Sequence, residues 1–528
     1  MIIETEIFKN EIEKRRTFAI ISHPDAGKTT LTERLLLIGG AIRLAGSIKG
    51  RKTKTYAASD WMEMERQRGI SVTSSVLQFS YQGYRINLLD TPGHQDFSED
   101  TYRTLTAADC ALMMIDMAKG VEAQTIKLFE VCRMQGIPIF TFINKLDRQG
   151  KEPLDLLDEL EKVLGIGSHP MNWPAGTAPG PSGIYHRHSR QLELRRTDQE
   201  SEIIPAGSEE AEHPQIKNAL GEYSYNKLWD EIKLLETAGD YFDQDKVDKG
   251  LLTPVFFGSA ISGFGVTSFF TEFLRQGPKP APRESSAGFI DPASKNFSSF
   301  IFKIQANMNP AHRDRIAFLR VCSGIFNRDM MVNHVRTGKN IRLSQPQQFL
   351  AQNRNITEQA YPGDIIGLYD PGLFKVGDTL TEGDTFQFKR LPRFSPEHFV
   401  RVSSKAAMKH KQFHKGLKQL AEEGAVQVFM TPGSENIILG AVGELQFEVF
   451  KYRLKAEYSV EVQMERLPYS MLRWIKDLTA KELPDILNSK AVKDQEENLY
   501  LLFKSEFWHK MALEKIPDEN LRPVEEMP

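Results

Sequence analysis

Over the first 278 residues, apolar runs of strand length at 18–21, 85–89, 110–115, 137–143 and 254–257 alternate with stretches of helical periodicity. Apolar runs that are continuous rather than alternating belong in a sheet covered on both faces. The pattern therefore predicts a multidomain α/β chain whose first domain, 1–278, is doubly wound around a mostly parallel sheet. The rhythm breaks between 151 and 253, where Pro- and Gly-rich "NWPAGTAPGPSG" and a polar run near 186–215 read as an inserted subdomain with a long surface loop. "QGPKPAPRESS" opens a linker that reaches to 296 (279–296). Short alternating strands punctuated by Gly324, Gly338, Gly363 and Gly367 then predict a β-barrel over 297–390. From 391 to 528 the order strand, helix, two strands, helix, strand is that of a βαββαβ ferredoxin-like domain. The remaining tail, with "ENLYLLFKSEFWHKMALEKI", is expected to be helical.

A chain of 528 residues fits three or four domains at about 150 residues each. Acidic residues outnumber basic ones, 70 to 67, so nucleic-acid binding would have to come from a local patch rather than a global field. Cys110, Cys132 and Cys322 lie far apart and in no metal-ligand spacing, which points away from a disulfide framework or a zinc site. The acidic N-terminus is unlike a signal peptide, and no apolar run approaches the roughly 20 residues of a membrane span. The expectation is a cytoplasmic, monomeric protein without a membrane partner.

The chemistry concentrates at the ends of the predicted strands. "TFAIISHPDAGKTTLTERLL" runs a strand into a loop, Ser22, His23, Pro24, Asp25, Ala26 and Gly27, and then into a helix opening with Lys28, Thr29 and Thr30. Ser22 replaces the first glycine of the phosphate-cradling pattern G-x-x-x-x-G-K-[ST]. Such a turn offers backbone N–H groups and a helix N-terminus to phosphate oxygens. Lys28 would supply a charge and Thr29 a hydroxyl for Mg²⁺. Alone, it leaves an ordinary Gly-containing strand-to-helix turn as the minor alternative. "INLLDTPGHQDF" adds Asp90 at a strand end, followed by Thr91, Pro92, Gly93 and His94; the carboxylate could hold Mg²⁺ through water and Gly93 could meet a γ-phosphate. In "INKLD", Asp147 can accept two parallel hydrogen bonds from guanine that adenine cannot offer, with Asn144 and Lys145 bracing the loop. "FGSA", with Ser259 and Ala260, could turn backbone N–H groups toward the guanine oxygen. Four such elements at successive strand ends predict a guanine-nucleotide site.

"SHPDAGKTT", "SDWMEMERQRGISVTSS", "DTPGHQDF", "NKLD" and "GSA" resemble the motifs of the translational GTPases. The resemblance implies hydrolysis of GTP to GDP with Mg²⁺ on Thr29, Thr73 and Asp90. It also implies that Thr73 closes on the metal when the γ-phosphate is present, that His94 positions the attacking water on the ribosome, and that Pro24, Asp25 and Ile70 line the approach. With Lys28, His94 and Thr73 form the implied catalytic set. One barrel and one βαββαβ unit ("ILGAVGELQFEVFKYRLKAEYSVEV" matches its second half) resemble the termination branch of that family. This implies binding to the rRNA and proteins of the ribosome, and dissociation of the codon-reading peptide chain release factor after peptide release. The alternatives are a translocase-like or recycling GTPase, or a GTP-binding scaffold that does not hydrolyse.

In the third domain, Lys409, Lys411, Lys415 and Lys418 with His410 and His414 lie opposite Phe413, Leu417 and Leu420 on a predicted helix 406–423. Such a basic face is commonly just solvated; in a ribosome-binding protein RNA contact stands level with it.

Overall fold

The computed structural model describes residues 2–42, 65, 71–176, 182–195, 201–206, 213–238, 241–306, 315–350, 353–391, 393–434 and 436–527. Ile70 and most of "SDWMEMERQRGI" lie outside these residues.

Seven strands form the first sheet, in the order Ser75–Tyr81, Tyr84–Asp90, Arg15–Ser22, Cys110–Asp116, Ile139–Asn144, Leu252–Phe257, Gly167–Pro170. All neighbours are parallel except the first two, which form a hairpin. Its two-residue turn, Gln82-Gly83, has positive φ at both positions (47° and 83°), the geometry whose twist matches paired strands. Every residue of Arg15–Ser22 and Cys110–Asp116 is buried, which is why these strands read as unbroken apolar runs. Alternate residues feed two cores: Ala19, Ile21, Met113 and Ile115 on one face, Phe18, Ile20, Leu112 and Met114 on the other.

Between 151 and 253, helix Pro153–Leu164 and edge strand Gly167–Pro170 complete the main layers. The polar run read as a long surface loop instead supplies two strands, Gln191–Arg195 and Ser201–Pro205, of a separate four-stranded antiparallel sheet. Leu192, Leu194 and Ile204 point inward from it toward Trp173, Tyr185 and Trp229, so the apolar minority of a polar stretch was sufficient to make a half-buried sheet.

The second domain is a β-barrel built on the paired nine-residue strands Ser298–Ala306 and Arg315–Ser323. Gly363 seats it on the first domain: its carbonyl accepts hydrogen bonds from Thr17 Oγ1 (2.6 Å), Asn87 Nδ2 (3.2 Å) and Arg320 Nη1 (2.7 Å). At φ +104°, and with Arg15 and Pro280 within 3.0 Å of where a Cβ would be, that position accepts only glycine.

The third domain has strand order Val462–Arg466, His398–Ser404, Ile437–Ala441, Gln427–Met430, with helices His410–Glu422 and Leu445–Tyr458 on one face, the ferredoxin-like plan. The tail corrects the helical expectation. Met471–Ile475, Ser489–Lys493, Leu499–Phe503 and Leu521–Arg522 extend the same sheet to eight strands, and Glu506–Leu513 is the tail's α-helix among the described residues. Leu499–Phe503 is buried throughout, so its apolar run carries no period to separate strand from helix. No described helix is long and apolar enough to cross a membrane.

Candidate functional site

The loops that follow Arg15–Ser22, Tyr84–Asp90, Ile139–Asn144 and Leu252–Phe257 meet at the C-terminal edge of the parallel sheet, where open α/β sheets bind ligands. Ser22 is the buried last residue of its strand, and His23 follows with Nε2 3.3 Å from Glu122 Oε1. Gly27 caps helix Lys28–Ile38 at φ 98°, and a Cβ there would come within 2.3 Å of Asn144 Nδ2. Thr29 and Thr30 stand in that helix's first turn, whose N–H groups have no intrahelical acceptor and suit an anion.

Asn144 binds two loops together. Its Nδ2 donates to the Ala26 carbonyl at 2.8 Å, and its Oδ1 accepts from the Ala260 N–H at 2.9 Å. Lys145 extends the brace, its ammonium 2.7 Å from the Asp25 carbonyl and 2.6 Å from Asp116 Oδ2. Burial alone would raise the Asp116 carboxyl; hydrogen bonds from Lys145 and the Ala118 N–H outweigh it and hold the group below its ordinary value. Asp25 and Lys145 are both left-handed, φ 66° and 70°, at a cost of about 1 kcal/mol each that the surrounding contacts must sustain. Asp147 Oδ1 accepts from Ser259 Oγ at 2.5 Å, which fixes the plane of its carboxylate.

The Lys28 ammonium lies 2.5 Å from Asp90 Oδ1, both groups buried. Asp90 Oδ2 is buried with no hydrogen-bond partner among the described residues, an anionic acceptor that a hydrated divalent cation would satisfy. With the Thr29 hydroxyl on the neighbouring helix turn, this oxygen donor set suits Mg²⁺. Thr91 Oγ1 ties its loop to the Ile20 carbonyl at 2.6 Å, Pro92 accepts from Thr101 Oγ1 at 3.2 Å, and Gly93 packs against Pro24.

Other residues take positions that the sequence did not foretell. The N–H groups of Ser259 and Ala260 are committed, to the Phe264 carbonyl (2.9 Å) and to Asn144, so neither is free for a base in this arrangement. Thr73 is not gathered with Lys28 and Asp90. Its buried hydroxyl has no hydrogen-bond partner among the described residues, and the residue lines a cavity of about 50 Å³ between the three domains with Asp100, Lys303, Gln305, Glu423 and Arg453. His94 is 36% exposed, and its Nδ1 accepts from the Asp96 N–H at 3.2 Å. Arg34 went unnoticed in the sequence. It reaches over the last loop to the carbonyls of Ala260 (3.3 Å) and Ile261 (2.7 Å), a contact with no local signature.

A strand-to-helix turn of the phosphate-loop pattern, a buried lysine–carboxylate pair and an Asp fixed at a neighbouring strand end define a P-loop nucleotide-binding protein. Comparison with known proteins agrees: residues 13–279 match the elongation factor Tu GTP binding domain, 296–383 elongation factor G domain 2, and 388–513 the "Class II release factor RF3, C-terminal domain". The chain is 56% identical to peptide chain release factor 3 of Symbiobacterium thermophilum, covering 96% of this chain and 97% of that one. It is 53% identical to that of Listeria innocua, covering 97% and 98%, and 52% identical to that of Ligilactobacillus salivarius, with the same coverages. A crystal structure of a Thermus thermophilus protein shares the fold, with TM-score 0.70 and 22% identity over 89% of this chain and 71% of that one. The chain belongs to the peptide chain release factor 3 family and is a GTPase of translation termination.

Proposed function

We propose that the site works as a timer on the ribosome: in the GTP state the protein displaces a codon-reading release factor after peptide release, and hydrolysis then lets the protein depart. The observation that carries this reading is the bracing of the strand-end loops by Asn144, which joins the phosphate loop at Ala26 to the last loop at Ala260. A nucleotide lying across those loops would be sensed by all of them together.

In this reading Asp147 accepts the guanine N–H donors, with Ser259 holding its carboxylate. The backbone from Ser22 to Thr30 wraps the phosphates. Lys28 leaves Asp90 for the β- and γ-phosphates, which frees a buried carboxylate. Thr29, Asp90 and Thr73 would hold Mg²⁺, whose charge would offset that of the phosphate oxygens. Thr73 would have to leave the three-domain cavity to do so, and its departure would loosen the junction that Lys303 makes with Asp100 (3.2 Å) and with the Ser74 carbonyl (2.6 Å). Gly93 senses the γ-phosphate, and His94 orients water once the ribosome moves the imidazole inward. The cytoplasm is the place of action and the monomer the acting form.

Loading post-termination ribosomes with a labelled codon-reading release factor tests the reading. Adding this protein with GTP should release the label; adding it without nucleotide should not. Equal retention in both would reject the timer.

A further inference from the structure

Residues 405–421 hold five lysines, two histidines and no acidic residue, in a chain whose net charge is −3. Thirteen of the residues from His410 onward form helix His410–Glu422, which buries Phe413, Gly416, Leu417 and Leu420 against the domain. At 100° per residue, Lys411, Lys415 and Lys418 fall within about 60° of one another on the opposite, exposed side, spaced about 6 and 4.5 Å along the axis.

Solvated basic faces are ordinarily interspersed with carboxylates at neighbouring turns. Here the two nearest carboxylates are drawn to arginines of other elements, and of the three lysines Lys418 alone stays within ion-pair reach of one among the described residues. Glu422 is engaged by Arg315 of the barrel, leaving Lys418 at 3.9 Å from it, and Glu423 by Arg453 at 2.9 Å. Neither Lys411 nor Lys415 is ion-paired among the described residues. Those same two contacts brace the helix against the barrel and against helix Leu445–Tyr458, so the lysines stand on a fixed rod. At its N-terminal end His410 and His414 lie side by side, Nε2 atoms 3.0 Å apart, and Met408 is 97% exposed.

We infer that this face binds the phosphate backbone of RNA, with Lys411, Lys415 and Lys418 each contacting a phosphate and Met408 resting on a sugar or base at the edge. A row of point charges at regular spacing matches a polyanion of regular spacing, and carries no apolar centre of the kind a protein interface needs. The inference rests on the ribosomal reading above and specifies the surface that meets ribosomal RNA.

The test is co-sedimentation with 70S ribosomes over 50 to 300 mM KCl, which does not depend on hydrolysis. The triple variant K411Q/K415Q/K418Q should bind more weakly at low salt, and its slope of log affinity against log salt should be smaller by about 2, the share of three phosphate contacts. The triple Lys→Arg variant should recover the wild-type slope. GTP binding should be the same in all three. A benzophenone side chain at exposed Gln412 should give photo-crosslinks to ribosomes that ribonuclease destroys. An unchanged slope in the Gln variant, or crosslinks to ribosomal protein alone, overturns the inference. Wild type that sediments but releases no factor rejects the termination reading and leaves this one standing; wild type that does not sediment rejects both.

Discussion

The backbone N–H of Leu445 donates to Asp96 Oδ2 at 2.8 Å, so a carboxylate two residues beyond His94 caps the N-terminus of a helix in the third domain. The same Asp96 donates its own N–H to His94 Nδ1. The segment that would sense the γ-phosphate is thus physically held by a different domain, beside the apolar contact of Phe97 and Val72 with Val449. Capping of this kind is worth about 1 kcal/mol. Asp96→Ala should therefore raise amide exchange at Leu445 by about 5-fold while leaving the core strand Leu499–Phe503 unchanged. A Cβ at Gly443 would fall 2.1 Å from the same carboxylate, so Gly443→Ala should disturb the contact from the other side. The two effects should be less than additive when combined; full additivity would mean that the contact is not shared.

Asp147→Asn should exchange guanine preference for xanthine. The amide puts a donor where the carboxylate had an acceptor, and xanthine offers a carbonyl where guanine has its amino group. Losing two charge-assisted bonds predicts at least about 100-fold weaker GTP binding relative to XTP, read by competition between the two. Unchanged preference would remove Asp147 from the base site.

Much of this arrangement was legible because it is local. The run at 18–21 is apolar without a gap because Arg15–Ser22 is covered on both faces, and Gly27 is glycine because its φ and Asn144 leave no room for a side chain. Ser75–Tyr81 escaped notice because, as the edge strand, it mixes Ser and Gln with its apolar residues; the Gln82-Gly83 turn was the available signal. The place of Thr73, the grip of Arg34 on the last loop and the hold of Asp96 on Leu445 arise between residues far apart in sequence. No spacing rule reaches them. Leu499–Phe503 failed for the opposite reason, since a strand buried on every residue has lost the alternation that would identify it.

Asp378 predicts a pH effect confined to the barrel. Burial works against its charge, but hydrogen bonds from Arg336, His334 and the Lys375 N–H prevail and hold its carboxyl down to about 2, below the ordinary 3.8. A depressed carboxyl stabilises the fold fully above the unfolded value and loses that contribution as pH falls through about 2. Asp378→Asn should accordingly destabilise the barrel by about 2 kcal/mol at pH 7, a gap that stays constant down to about pH 4 and narrows below it. Thermal unfolding of both proteins at pH 7, 5, 4 and 3 provides the check. A gap that widened with acidity would mean that the carboxyl is not held ionised.

His94→Ala separates a timer from a passive scaffold. In this structure the imidazole is partly exposed and bonded to its own loop, so it plays no part in holding the phosphate loop together. Removing it should leave GTP binding intact. If the ribosome turns the ring toward a water at the γ-phosphate, the variant should lose about 10²-fold or more in ribosome-stimulated hydrolysis, the scale of a positioned catalytic group. It should still displace the codon-reading factor in the GTP state, and then stay on the ribosome because departure waits for hydrolysis. Single-turnover hydrolysis at saturating ribosomes measures the first effect, and pelleting ribosomes after GTP addition measures the second. Full stimulated hydrolysis would make His94 a bystander. Slow hydrolysis with prompt departure would keep His94 as a catalytic residue and reject the timer, because hydrolysis would then no longer govern release from the ribosome.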